Sequence, residues 1–267
     1  MSRKRKQKQN IYELILSLFI IICIIISGYV SQNNGENTKN AITNNSSIAT
    51  INATDSTTSS INSKAKKFDL STIPEYTDKA YVEINNNEPY FTEEDYTTEA
   101  FEKYSEWDEL GRSGVAFANV CKETIPKTGE KREDISSIRN LSGWKQKRYD
   151  NLIKDKYLYN RCHLIGWQLS AENANKNNLI TGTRYLNTEG MLPFENDVTK
   201  YINKNDKNHV LYRVTPIYDG DNLLASGVEM EAWSVEDEGI GIKFNIYCYN
   251  VQPEIVIDYA TGDSRAK

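Results

Sequence analysis

Apolar residues are laid out in three different ways along these 267 residues. From Leu14 to Val30 they form one run, interrupted only by Ser17, Ser27 and Gly28. From Ser31 to Lys66 the chain is almost entirely Asn, Ser, Thr, Ala and Ile, with no aromatic residue. Such a segment cannot bury enough surface to fold. It predicts a disordered linker over 31–66 that acts as a flexible tether. From residue 67 to 267 the apolar residues recur in short periodic segments, and this is the expected folded domain.

Within that domain Tyr81-Val82-Glu83-Ile84 alternates and predicts a strand ending at the turn Asn85-Asn86-Asn87. Phe101, Tyr104 and Trp107 stand at three-residue spacing, which predicts a helix over Thr98–Leu110 with Gly111 as its stop. Val115–Val120 reads as a short apolar strand. Pro193–Ile202 reads as a helix with proline in its first turn and Phe194, Val198 and Ile202 on one face. His209–Tyr218 and Leu223–Trp233 predict two strands around the turn Asp219-Gly220-Asp221-Asn222. Ile242–Tyr249 and Ile255–Tyr259 predict two more. The expected class is α+β, an antiparallel sheet with flanking helices.

The Leu14–Val30 run is long enough for a short transmembrane helix. Arg3, Lys4, Arg5, Lys6 and Lys8 precede it, and the next basic residue is Lys39. The positive-inside rule puts 1–30 across the cell membrane with everything after Val30 extracellular. A cleaved signal peptide and a secreted protein are the alternative. Ser27 and Gly28 are small, but Ile24-Ile25-Ile26 is a poor cleavage context, so an uncleaved signal anchor is the preferred reading.

Charge changes the picture only locally. Residues 1–66 carry eight Lys or Arg and three Asp or Glu, and the rest of the chain has a net charge of −10. An acidic body is not what diffuse binding to a polyanion requires. Between Lys145 and Arg184, however, eight basic residues face three acidic ones. Cys23 lies in the apolar run; beyond it Cys121, Cys162 and Cys248 are odd in number, so at least one of these three has no partner among them. They show no metal-ligand spacing for a structural zinc site.

The residues that suggest chemistry lie around His163. It sits in Asn160-Arg161-Cys162-His163, and Asn173, Asn175, Asn177, Asn178 and Asn187 crowd the next 24 positions. Glu195 follows Asn187 by eight. A magnesium ion prefers oxygen ligands and keeps several waters, so a single amide oxygen can hold it when a phosphate completes its shell. A histidine then suffices to take a proton from water. The Asn-rich composition of the whole chain is the plainer explanation of the same stretch. His209, the other histidine, is expected to be structural.

Asn160-Arg161-Cys162-His163 resembles the D-R-G-H motif of the DNA/RNA non-specific endonuclease family, enzymes of the ββα-metal (His-Me finger) class. Asn178 to Asn187, N-L-I-T-G-T-R-Y-L-N, is similar to that family's two asparagines nine positions apart, and Glu195 to its acid eight positions later. Phe244 to Pro253 and Asp258 to Gly262 resemble membrane-anchored DNA-entry nucleases of Gram-positive bacteria. The resemblance runs from about Tyr81 to Asp263.

It implies a magnesium-dependent hydrolase, with manganese as a substitute, that cuts DNA and also RNA without sequence preference. His163 would be the general base. Asn187 would be the one protein ligand of the metal, and Glu195 would order the water around it. Asn178 would support the site and the substrate, and Arg161 would face the scissile phosphate. The local basic excess, and not the resemblance, makes Lys145, Lys147, Arg148 and Arg184 the expected contacts to the nucleic-acid backbone, with an ordinary solvated face as the alternative. DNA-uptake machinery is a partner that the resemblance allows. Two motif positions differ: Asn160 replaces a charged Asp, and Cys162 replaces a Gly that could reach positive φ. These departures leave room for a surface binding module without catalysis. A secreted nuclease toxin is the third reading.

Overall fold

In the computed structural model residues 69–267 are described, so the expected anchor and tether lie outside the described residues. The strands are β1 (Tyr81–Glu83), β2 (Phe101–Tyr104), β3 (Ala116–Val120), β4 (Tyr159–His163), β5 (Leu179–Thr183), β6 (Val210–Ile217), β7 (Gly227–Ser234), β8 (Lys243–Tyr249), β9 (Ile255–Ile257) and β10 (Ser264–Ala266). Six of them form one antiparallel sheet in the order β1-β8-β7-β6-β3-β2. β4 pairs with β5 in a separate hairpin, and β9 with β10. The α+β class with an antiparallel sheet is therefore correct. Among the described residues no helix is long and apolar enough to cross a membrane.

The sheet is covered on both faces, so β6 and β7 are buried almost throughout, charged residues included. One face presents Ala118, Val210, Tyr212, Val214, Met230, Phe244 and Cys248 to the β4–β5 hairpin and to the helix Leu192–Ile202. Cys162, Leu164, Ile180, Met191, Val198 and Ile202 meet them there. Arg213 points to the other face, where residues 69–100 cross. Its guanidinium donates to Glu231 at 2.6 and 3.0 Å and lies 4.8 Å from the Phe91 ring centroid. A planar, paired guanidinium is the cation best suited to such a buried place.

The helix expected over Thr98–Leu110 is not formed. Phe101 to Tyr104 instead pair with Ala116–Asn119 as an edge strand. The Phe101 ring meets the Phe117 ring edge-on at 5.0 Å. Trp107 lies beyond the strand, where its indole N–H donates to the Lys176 carbonyl at 3.2 Å. The aromatic spacing that imitated a helix thus serves two separate contacts, and sheet pairing overrides it.

The expected turn at 219–222 is present, with the Asn222 N–H on the Asp219 carbonyl at 3.1 Å. The paired strands close only at Ile217 and Gly227, so β7 starts four residues later than Leu223. β9 ends at Ile257 rather than Tyr259, whose hydroxyl donates to the Asn250 carbonyl at 2.8 Å.

Candidate active site

β4 carries the motif and β5 fixes its register, with Asn160 opposite Gly182, Cys162 opposite Ile180 and His163 opposite Leu179. Cys162 is ordinary strand backbone and not among the positive-φ residues, so the replacement of Gly needs no left-handed conformation here. Its side chain occupies space that Gly182 leaves open. A Cβ at Gly182 would lie 2.6 Å from the Cβ of Cys162. Burial pushes the Cys162 thiol well above its ordinary range, so it is a thiol and not a thiolate.

His163 ends β4 and is buried. Its Nε2 lies 3.0 Å from the Asn173 carbonyl oxygen, and its Nδ1 lies 3.2 Å from Nη2 of Arg132. A carbonyl can only accept, and a guanidinium can only donate. The ring is therefore neutral, with the proton on Nε2 and the basic lone pair on Nδ1. Burial, then the positive charge of Arg132, hold its pKa down to about 4, against the hydrogen bond from Nε2 to Asn173. Because the folded value lies below the unfolded one, the neutral ring contributes stability above pH about 6.5, and this is lost as pH falls toward 4. A proton NMR titration of the metal-free protein should place the His163 midpoint near 4. Arg132→Ala should move it upward, since one repelling charge is gone. A parent midpoint at or above the ordinary histidine value would contradict this geometry.

Asn178 is completely buried, and both halves of its amide bind one residue. Oδ1 accepts from the Ile165 N–H at 2.8 Å, and Nδ2 donates to the Ile165 carbonyl at 2.9 Å. It clamps the chain just after His163 and its burial keeps it from touching a substrate, so its place is that of a positioning residue. Asn173 does a related job, since its Oδ1 accepts from the Glu133 N–H at 2.9 Å. One asparagine thereby ties the His163 ring to the loop that bears Arg132.

Asn187 and Glu195 come from the next element. A π-helical stretch, Leu186–Met191, runs directly into the helix Leu192–Ile202, with Pro193 in its first turn. On a regular α-helix residues eight apart would diverge by about 80°. Wider π turns absorb part of that and are common at functional positions. Asn187 is half-buried, and its Oδ1 accepts from the Cys162 thiol at 3.3 Å. Cys162 thus brings β4 and Asn187 together one residue from His163.

Glu195 is buried and packs on Gly166, where a Cβ would fall 2.6 Å from its carboxylate. Burial raises its pKa to about 7, offset in part by Arg132 and by hydrogen bonding from Gln168. Among the described residues no Lys, Arg or His stands within ion-pair distance of it.

Arg161 lies beside the site. Its Nη2 donates to the Ser136 carbonyl at 2.8 Å, its Nε to the Ile138 carbonyl, and it stacks 4.4 Å from the Trp144 ring centroid. Burial, then repulsion from Arg139, pull its pKa down from the ordinary arginine value. Arg132 and Arg139 belong to the long loop between β3 and β4, are exposed, and were not singled out from the sequence. Nothing in the local pattern Lys131-Arg132-Glu133-Asp134 marks the one residue that reaches His163.

The four residues read as a backbone-binding surface each have an intramolecular partner. Lys145 pairs with Asp263 at 2.6 Å, and Lys147 donates to the Ser264 carbonyl at 2.9 Å. Arg148 pairs with Asp150 at 2.7 Å, and Arg184 pairs with Asp155. Lys145 and Lys147 hold the C-terminal β10 segment near the Tyr159 end of β4, about 13 Å along the strand from His163. His209 donates its backbone N–H to Glu236 at 2.8 Å, and its ring Nδ1 lies at hydrogen-bond distance from the same carboxylate.

The sequence model of the DNA/RNA non-specific endonucleases matches residues 92–236. This chain belongs to that family. The match includes the β4–β5 hairpin, His163, Asn178, Asn187 and Glu195. A deoxyribonuclease of Streptococcus dysgalactiae subsp. equisimilis is 27% identical over 196 residues, which cover 60% of this chain and 59% of that protein. The chain therefore matches about three-fifths of that relative's length.

Among solved structures, NucA from Streptococcus agalactiae with magnesium bound superposes at a TM-score of 0.62 and 24% identity, covering 74% of this chain and 92% of that one. The Sda1 nuclease with zinc bound superposes at 0.61 and 25% identity, covering 71% and 97%. The endonuclease fold is thus shared over almost three-quarters of this chain.

Proposed function

We propose that this protein is a divalent-cation-dependent endonuclease that hydrolyses phosphodiester bonds of DNA, and of RNA, without sequence preference. Magnesium is the expected cation, with manganese as a substitute. The observation that carries the reading is the neutral His163, with its Nδ1 lone pair turned toward Arg132 and the adjacent Cys162 touching Asn187.

The residues present fit such a cation. Asn187 Oδ1 has only a weak thiol donor, so it retains a lone pair. Glu195 is a buried carboxylate with no ion pair among the described residues, and a nearby cation would favour its ionised form. The described residues contain no cluster of three or more His, Cys, Asp or Glu around one point. That donor set suits a hard ion that keeps most of its water. When bound, the cation supplies positive charge to the phosphate and to the leaving 3′-oxygen.

The chain's own residues do the rest. His163 takes a proton from the attacking water on Nδ1 as the water oxygen bonds to phosphorus and the bond to the 3′-oxygen breaks. Arg132 must leave Nδ1 for this to happen, and the incoming phosphate is a stronger acceptor for its guanidinium. Arg139 and Arg161 add positive charge on the same side. Cutting is sequence-neutral because backbone contacts carry no base information. The nucleic acid is expected to follow this arginine loop, since Lys145, Arg148 and Arg184 are paired with carboxylates and Lys147 is engaged by the Ser264 carbonyl. The Leu14–Val30 anchor and the tether would hold the domain at the outer face of the cell membrane, where DNA-uptake machinery would be its partner.

The test is nicking of supercoiled plasmid by the full chain. Cleavage should require magnesium, stop in EDTA and return with added magnesium. Cleavage that continues in EDTA would refute the mechanism, and DNA binding without cleavage would favour a binding module.

A further inference from the structure

Resting on the reading of Asn187 as the cation's protein ligand, we propose that Cys162 is a positioning residue whose thiol holds the Asn187 side-chain oxygen turned toward the cation. The S–H hydrogen has three acceptors in reach: Asn187 Oδ1 at 3.3 Å, the Met191 thioether at 3.5 Å and the His163 carbonyl at 3.8 Å. The amide oxygen is the nearest of the three and a far better acceptor than a thioether.

The contact matters because an asparagine amide has two ends of nearly equal shape. A donor at one end selects oxygen over NH2 there. The oxygen has two lone pairs, so it accepts from the thiol and still faces a cation. The local architecture is arranged for this side chain. Cys162 is fully buried, and it fits because residue 182 is Gly, whose Cβ would meet the Cβ of Cys162 at 2.6 Å. Met191, from the same π-helical stretch as Asn187, closes the other side. A glycine at position 162, as in the motif this segment resembles, offers no donor. This chain would therefore hold its ligand by a contact that a glycine motif lacks.

A simple packing role is separable from this one. Serine and alanine at position 162 leave similar cavities, but only serine can donate. The measurement is manganese affinity of the full chain, by calorimetry without nucleic acid, for the parent, Cys162→Ser, Cys162→Ala and Asn187→Ala. Cys162→Ala should bind about three- to tenfold more weakly, the worth of one neutral hydrogen bond. Cys162→Ser should stay within about twofold of the parent, by the same reckoning.

Equal affinities for the Ser and Ala variants would overturn the proposal. So would a cadmium–thiolate absorption band in the parent that Cys162→Ser lacks, because the thiol would then be a ligand. Asn187→Ala with parental affinity would remove the metal-ligand reading itself, a different failure. If Cys162→Ala does not fold, infrared spectra of the metal-free parent and Asn187→Ala still decide. One S–H stretch should shift toward the free-thiol position when the amide is removed, and an unchanged spectrum would overturn the contact.

Discussion

Replacing His163 with alanine is expected to lower the rate of plasmid cleavage by about two to four orders of magnitude, the usual worth of a positioned general base. The loss should fall on kcat, because the Nδ1 lone pair is used only as the proton moves. DNA affinity should hardly change, since Arg132, Arg139 and Arg161 remain. The fold should survive, although the Asn173 carbonyl loses its donor and a small cavity opens, a cost of about 1–3 kcal/mol. Thermal melting separates this cost from the chemistry. Added imidazole should restore part of the rate by entering the vacated space. A near-parental rate in His163→Ala would place the base elsewhere.

Asn187→Ala should also be severe, but in a different variable. Disturbing groups around a ligand typically costs about 10–100-fold in metal affinity, and removing the single protein ligand should cost at least that. The magnesium concentration for half-maximal cleavage should therefore rise by the same factor, with partial recovery at saturating metal. Asn187→Asp keeps an oxygen in place and should recover much of the affinity. If Asn187→Ala titrates with magnesium as the parent does, the ion is held by other groups. The two substitutions together distinguish a defect in proton transfer from a defect in cation binding.

Much of the sheet was legible because its strands are strongly patterned. β3, β6, β7 and β8 read as apolar or alternating runs, and the helix of Val198 and Ile202 showed its buried face and its early proline. Edge strands were less legible. β2 is four residues long and buries Phe101 against Phe117, so its aromatic spacing imitated a helix until a partner strand was known.

By itself the sequence marked the candidate catalytic constellation in outline, through motifs that resemble those of the endonuclease family and not through spacing alone. His163, Asn178, Asn187 and Glu195 stand in order along it, and the tertiary structure gathers them through one hairpin and one helix. Only that structure decided what each side chain touches. Asn178 proved to clamp Ile165, since a buried amide must satisfy both its ends. Lys145, Lys147, Arg148 and Arg184 met partners that are mostly distant in sequence or unmarked by it. Arg132 reached His163 from 31 positions away, across a loop with no regular pattern. Cys162 could stand in place of a glycine because Gly182, on the opposite strand, had left room for it. Contacts of this kind depend on which strands pair and in what register, and periodicity along a single segment does not encode that.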